Sequence, residues 1–306
     1  MPSTETVQQV SDPRLRARLQ RLELRARTAV EGLRGGRHRS PLKGSSTTFA
    51  QHREYVAGDD LRALDWRLMA RSDRNIIREY EEETDLRLWL VVDASASMSF
   101  TSGEWTKFEY ATWLAASLAR VACDQSDQFG LILTRGEEVE RVLPARGGEA
   151  HWQSLCLLLA GAEPSGAGDP SIGMQASAGH MDRRGLVVWI SDLLGTPEDA
   201  TVAVNRMRRK GHDMIALRTL DHAEVDFPFL RNTRFEGLES SDVLRADPNT
   251  IRAAYLEEFE KHGAALRRGL RGAGCAFRRM PIEEPLEAGL VEFLAQRNAD
   301  KKGGVR

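Results

Sequence analysis

The sequence predicts an α/β fold: a mainly parallel sheet with helices on both faces, preceded by an N-terminal helical and irregular extension. Three observations point to it. Residues 86–92, 129–133 and 186–190 are short, nearly continuous apolar runs, the signature of strands buried on both faces of a parallel sheet. Segments with apolar residues at helical spacing lie between them. Strand and helix then alternate from residue 86 onward, which is the pattern of a parallel sheet with crossover helices.

Each element has a local justification. Asp12-Pro13 reads as a helix start, a capping acid followed by Pro at the first helical position. Leu15, Leu19, Leu22, Ala26, Val30 and Leu33 recur at helical spacing, and Gly35-Gly36 ends the pattern. Residues 1–36 are therefore expected to form an amphipathic helix. Residues 37–84 are mixed, with turn signals at Pro41, Gly44 and Gly58-Asp59, and close on an acidic run around Tyr80. Residues 85–296 are expected to form the α/β domain, and 297–306 a tail.

Within that domain the first strand runs from Leu86 to Val92. Residues 107–123 read as a helix with Ala111, Leu114, Leu118 and Val121 on one face. Phe129–Leu133 is a second buried strand, and Val139–Leu143 a more polar one suited to an edge. Trp152–Ala160 reads as helix and Gly161–Gly168 as loop. Leu186–Ile190 is a clear central strand. A helix over Pro197–Lys210, a strand over Met214–Leu217 and a long helix over Asn249–Leu270 follow, the last carrying Tyr255, Phe259 and Leu266. Ala276–Met280 reads as a last strand and Pro285–Gln296 as a closing helix. No repeat of 20–50 residues is visible.

The composition narrows the function classes. A chain of 306 residues with 41% hydrophobic content can bury a substantial core. A net charge of -2 argues against a general nucleic-acid binder. Ten basic side chains lie within residues 1–45, against Glu5, Asp12, Glu23 and Glu31. Such a segment can contact acidic protein, membrane surface or RNA, although a solvated helix face accounts for it as well. Cys123, Cys156 and Cys275 are an odd, widely spaced set, which fits a reducing compartment rather than a disulfide framework. No apolar run approaches the roughly 18 residues of a membrane span, and the N-terminus lacks the apolar stretch of a signal peptide. The expected location is the cytoplasm.

The candidate site follows the first strand. In open α/β sheets, ligands bind beyond the carboxyl ends of the strands, near a switch in strand order. Asp93 stands where the first strand ends, and Asp93, Ser95 and Ser97 are spaced so that alternate side chains can converge. One carboxylate and two hydroxyls form a hard, oxygen-only donor set suited to Mg²⁺ or Mn²⁺. Asp192 follows the strand 186–190. If the two strands are neighbours, both acids face one crevice, and two close carboxylates repel unless a cation lies between them. The alternative is that Asp93 and the serines cap a helix or form turns.

Asp93-Ala-Ser95-Ala-Ser97-Met98-Ser99 resembles the metal-ion-dependent adhesion motif of von Willebrand factor A domains. A longer run, Arg53-Glu-Tyr55-Val-Ala-Gly58-Asp59-Asp60-Leu-Arg62-Ala-Leu-Asp65-Trp66 followed by Ala70-Arg71, resembles the start of a bacterial family called domain of unknown function 58. Gly44, Phe49, Arg78, Tyr80 and Glu82 also fit, and the resemblance covers about residues 30–296. It implies a von Willebrand factor A-like fold and work beside a MoxR-type AAA+ ATPase on a client protein, in maturation or remodelling, with no chemical reaction. It also implies that Asp93, Ser95 and Ser97 are metal ligands, direct or through water, and that Asp192 is the third-loop acid.

One departure from that pattern matters. The middle loop normally supplies a Thr to the metal, and residues 163–175 contain none. Ser171 could replace it with a hydroxyl, or Asp169 with a carboxylate. The dense polar run of Arg53, Tyr55, Gly58, Asp59, Asp60, Arg62, Asp65 and Trp66 is expected to fold back on the α/β domain, with contact to an ATPase partner as the other reading. Several enzyme signatures are missing: no Gly-x-Ser-x-Gly elbow, no phosphate-binding Gly-x-x-x-x-Gly-Lys-[Ser/Thr] loop, and no zinc spacing among the seven His. The expectation is a non-enzymatic, metal-dependent interaction module. The alternative is a metal-dependent hydrolase using Asp93 and Asp192.

Overall fold

The computed structural model describes residues 13–35, 47–54, 76–82 and 87–287. The chain divides into two compact units, residues 42–86 and the remainder. In the smaller one, β1 (Thr47–Glu54) and β2 (Ile76–Glu82) pair antiparallel, with Arg53 opposite Ile77. The sequence assigned no strands there. Tyr55, Gly58, Asp59, Asp60, Arg62, Asp65 and Trp66 lie outside the described residues.

The larger unit begins with α1 (Pro13–Gly35), whose Leu22, Ala26, Ala29 and Val30 are buried. A six-stranded sheet then forms from β3 (Arg87–Asp93), β4 (Gln128–Arg135), β5 (Glu138–Arg146), β6 (Leu186–Ser191), β7 (Asp213–Leu220) and β10 (Cys275–Pro281). Its spatial order is β10-β7-β6-β3-β4-β5. Every pairing is parallel except β4 with β5, which runs antiparallel at the edge. The polar run at 139–143 is therefore the edge strand that its composition predicts.

Residue alternation along the strands splits the core into two layers. Trp89 and Val91 of β3, Val187 and Trp189 of β6, and Met214 and Ala216 of β7 form one apolar cluster with three helices: α4 (Pro170–Ser177), α5 (Pro197–Arg209) and α7 (Pro248–Gly272). On the other face α2 (Lys107–Asp124) packs on β3 and β4, with α3 (Glu149–Gly161) beside it and α1 against both. Helices thus cover both faces, as expected.

The sequence sets α1 apart from the domain, yet the structure docks it. Arg18 donates from Nη2 to the Ala162 carbonyl at 2.8 Å. The Arg25 guanidinium lies 5.0 Å from the Trp105 ring and 5.2 Å from Trp113, and Arg27 lies 5.3 Å from Trp152. Part of the basic face is spent on the domain's own aromatic rings.

Four elements of the larger unit were not expected. Helix α4 fills a stretch left unassigned, although Asp169 caps it and Pro170 opens it. A short α6 (His222–Asp226) follows β7. After it, β8 (Thr233–Glu236) and β9 (Val243–Ala246) form a separate antiparallel hairpin. At its root, Phe227 packs on Phe229, Phe235 and Tyr255, with ring centroids 4.7–5.7 Å apart. The helix expected at Pro285–Gln296 is present at residues 286–287, and the rest lies outside the described residues. Among the described residues no helix is long and apolar enough to cross a membrane.

Candidate metal centre

The chain order along the sheet reverses between β3 and β6. From β3 the chain moves outward through β4 to β5, then returns to the other side of β3 and continues through β6 and β7 to β10. The edge at the carboxyl ends of β3 and β6 is therefore the switch point at which α/β sheets bind ligands. Asp93 ends β3, and Asp192 directly follows β6. Parallel pairing of Val92 with Ile190 sets the two acids at one edge.

Burial is complete there: Asp93 and Asp192 are at most 1% exposed. Asp93 accepts from the Ser95 N–H at 2.9 Å on one oxygen and from the Ser191 hydroxyl at 2.7 Å on the other. Ser95 and Ser97 hydroxyl oxygens lie 3.1 Å apart. Burial, with the Asp192 charge added to it, pushes the Asp93 carboxyl up to about 7, against the pull of its hydrogen bonds to Ser191 and Ser95.

Asp192 is held from several sides. Its Oδ2 accepts from Lys107 Nζ at 2.7 Å, and Lys107 also reaches Glu224 at 2.6 Å. Its backbone carbonyl accepts from Arg218 Nε at 2.8 Å. Among the described residues its buried Oδ1 has no hydrogen-bond partner. An orphaned carboxylate oxygen is costly in a dry interior. Leu193, next in the chain, is buried with φ 51, a left-handed conformation that costs a branched side chain about 1–3 kcal/mol. That turn lets the Leu193 N–H donate to Ser191 Oγ at 3.0 Å, tying the loop back to the hydroxyl that holds Asp93.

Lys107, at the first position of α2, is fully buried. Burial alone would lower its pKa, but the Asp192 and Glu224 carboxylates outweigh this and raise it. One ammonium thus faces two carboxylates, and the Asp192 charge also acts on Asp93. The middle loop runs alongside: the Ala96 N–H donates to the Gly166 carbonyl at 2.9 Å, and the Ser165 N–H to Ala94 at 2.9 Å. Asp169 caps α4 by accepting from the Ser171 N–H at 2.7 Å, and Ser171 is buried. A Cβ on Gly195 would sit 2.5 Å from Asp169 Oδ1, so Gly195 admits that carboxylate against the loop carrying Asp192.

The donors at this edge are carboxylates and hydroxyls. Among the described residues no group of three or more His, Cys, Asp or Glu side chains converges as a metal site. A cation here would depend on the serines as well as the acids. Hard oxygen donors, an orphaned Asp192 oxygen and two mutually repelling acids together fit a small divalent ion.

The structure brings Asp93, Ser95, Ser97 and Asp192 to one edge, with Asp169 and Ser171 on the adjoining loop. Lys107, Glu224 and Arg218 were not foreseen. Capping boxes at Thr106-x-x-Glu109 and Asp221-x-x-Glu224 mark the helix starts that carry Lys107 and Glu224, but not the partners these side chains meet. Glu239, on the hairpin turn, was missed as well. It accepts from the Ser97 N–H at 3.2 Å and the Gly168 N–H at 3.5 Å.

Comparison with known proteins adds the family. The family described as "Protein of unknown function DUF58" matches residues 51–265. The uncharacterized protein Rv1480 of Mycobacterium tuberculosis is 29% identical over 305 residues, covering 96% of this chain and 93% of that protein. The uncharacterized protein Mb1516 of Mycobacterium bovis matches equally. Among solved structures, the conserved hypothetical protein BatB from Bacteroides thetaiotaomicron aligns with a TM-score of 0.42 and 14% identity, over 70% of this chain and 99% of that one. The SpRpn10 VWA domain aligns with a TM-score of 0.42 and 11% identity, over 67% of this chain and 93% of that one.

Proposed function

The chain belongs to the DUF58 family, and from that premise we propose that it is a non-enzymatic, metal-dependent protein-interaction module that works with a MoxR-type AAA+ ATPase on a client protein. The observation that carries the metal part is the buried Asp192 Oδ1, unpartnered among the described residues, on the edge that holds Asp93 and the paired Ser95 and Ser97 hydroxyls. Asp93, Ser95 and Ser97 would hold Mg²⁺ or Mn²⁺, with Asp192 facing it. Asp169 or Ser171 would stand in for the middle-loop Thr. When bound, the ion supplies positive charge that offsets the two acids and attracts a partner's carboxylate. The ATPase part rests on the resemblance of Arg53–Trp66 to the family's characteristic run.

Calorimetry tests the metal reading. Wild type should take up Mg²⁺ or Mn²⁺, and Asp93→Ala should abolish uptake. Wild type that binds neither ion at millimolar concentration, with the partner present, would overturn it. A screen against phosphoesters with either ion should show no turnover, since turnover would favour a hydrolase. Capture of the ATPase by wild type, lost in Asp65→Ala at unchanged melting temperature, would make the segment a docking surface rather than a structural brace.

A further inference from the structure

The turn between β8 and β9 does something its own fold does not require. Gly237 N–H donates to the Asp242 carbonyl at 2.8 Å, and Ser240 Oγ donates to Asp242 at 2.8 Å. These bonds close the turn without Glu239. Glu239 instead reaches across 142 positions of sequence to the Ser97 N–H, while its other oxygen takes the Gly168 N–H. One carboxylate thereby bridges the loop after β3 and the middle loop, the two loops whose backbones pair at Ala96 and Gly166. Ser97 and Gly168 therefore present a pair of backbone donors matched to the two oxygens of a carboxylate.

We propose that these two N–H groups form a receptor for an acidic side chain of a partner protein, and that Glu239 is its internal occupant until the partner displaces it. This rests on the interaction-module reading above and supplies the chemistry of the partner. The occupant is built for exchange. Glu239 and the whole turn from Gly237 to Asp242 are exposed, so the contact competes with water and is weak. The hairpin is anchored elsewhere, by Phe227, Phe229, Phe235 and Tyr255 at its root. Letting go of the tip therefore leaves the fold intact. An incoming carboxylate would have to displace Glu239, so its apparent affinity is reduced by the fraction of molecules with the receptor free.

Backbone amide NMR of the full chain tests this, with N-acetylglutamic acid amide as probe. In Glu239→Gln the Ser97 and Gly168 amide resonances should move in the free protein. The probe should return them toward their wild-type positions, binding about twofold more tightly than it binds wild type. Amides that stay in place in Glu239→Gln, or equal probe affinity for both proteins, would overturn the proposal. The titration is run without metal and with Mg²⁺. Amide responses in a protein that takes up no Mg²⁺ would keep the carboxylate receptor and sink only the metal reading. Mg²⁺ uptake with silent amides would do the reverse.

Discussion

Lys107 and Glu239 each bridge two groups at the carboxyl end of the sheet, the first as a fully buried side chain and the second from an exposed turn. Lys107 joins Asp192 to Glu224 with no exposed surface of its own. Glu239 joins Ser97 to Gly168 from an exposed turn. The bonds are similar in kind, both charge-assisted, and the surroundings decide what they do. Removing one member of a buried ion pair leaves an uncompensated charge in a poorly screened interior. Removing an exposed carboxylate lets water take over its donors. The same edge thus combines a buried brace with a contact made from an exposed turn.

The comparison breaks most readily at Lys107. Lys107→Met should lower unfolding free energy by about 3–5 kcal/mol in urea denaturation, because Asp192 and Glu224 lose their shared cation. A loss near that of a surface mutant would mean the pair is hydrated, and the contrast would fail. Thr106→Ala sharpens it at the next level. That substitution removes the capping box at the start of α2 and should cost about 1 kcal/mol, read from the same curves. The Arg279–Glu260 pair, at 2.7 Å but with 29% and 57% of the side chains exposed, should contribute about 0–1 kcal/mol in a double-mutant cycle. Glu239→Ala should fall within about 0.5 kcal/mol of wild type. A larger loss would make the hairpin tip part of the fold rather than a cover.

Legibility in the sequence followed the range of the interactions. Strands β3, β4 and β6 announced themselves because strands covered on both faces are almost wholly apolar, and the edge position of β5 showed in its polarity. Asp93 and Asp192 were legible because each stands at the carboxyl end of such a strand. Lys107, Glu224 and Glu239 were not, since the partners they bridge lie 71–142 positions away and no periodicity encodes so long a pairing. A Lys at a helix start reads as solvent-facing, and only the fold shows it enclosed. The hairpin was missed because its strands have four residues each, with side chains largely exposed and no Asn-Gly or Asp-Gly turn to mark it. Helix α4 is marked in the sequence by Asp169-Pro170, a capping acid followed by a first-turn Pro.

The docking of α1 carries a consequence for the order in which the chain acquires structure. Leu22, Ala26, Ala29 and Val30 lie against α2 and α3, and Arg18 bonds to Ala162, 144 positions later. On the ribosome, the helix emerges long before its seat exists. At roughly 5–20 residues per second, that apolar stripe waits on the order of ten seconds before α3 has been synthesised. During that interval the stripe is open to chaperones or to any amphipathic neighbour. A helix lined with arginines on its outer side keeps such an intermediate soluble by charge repulsion while the seat is being made.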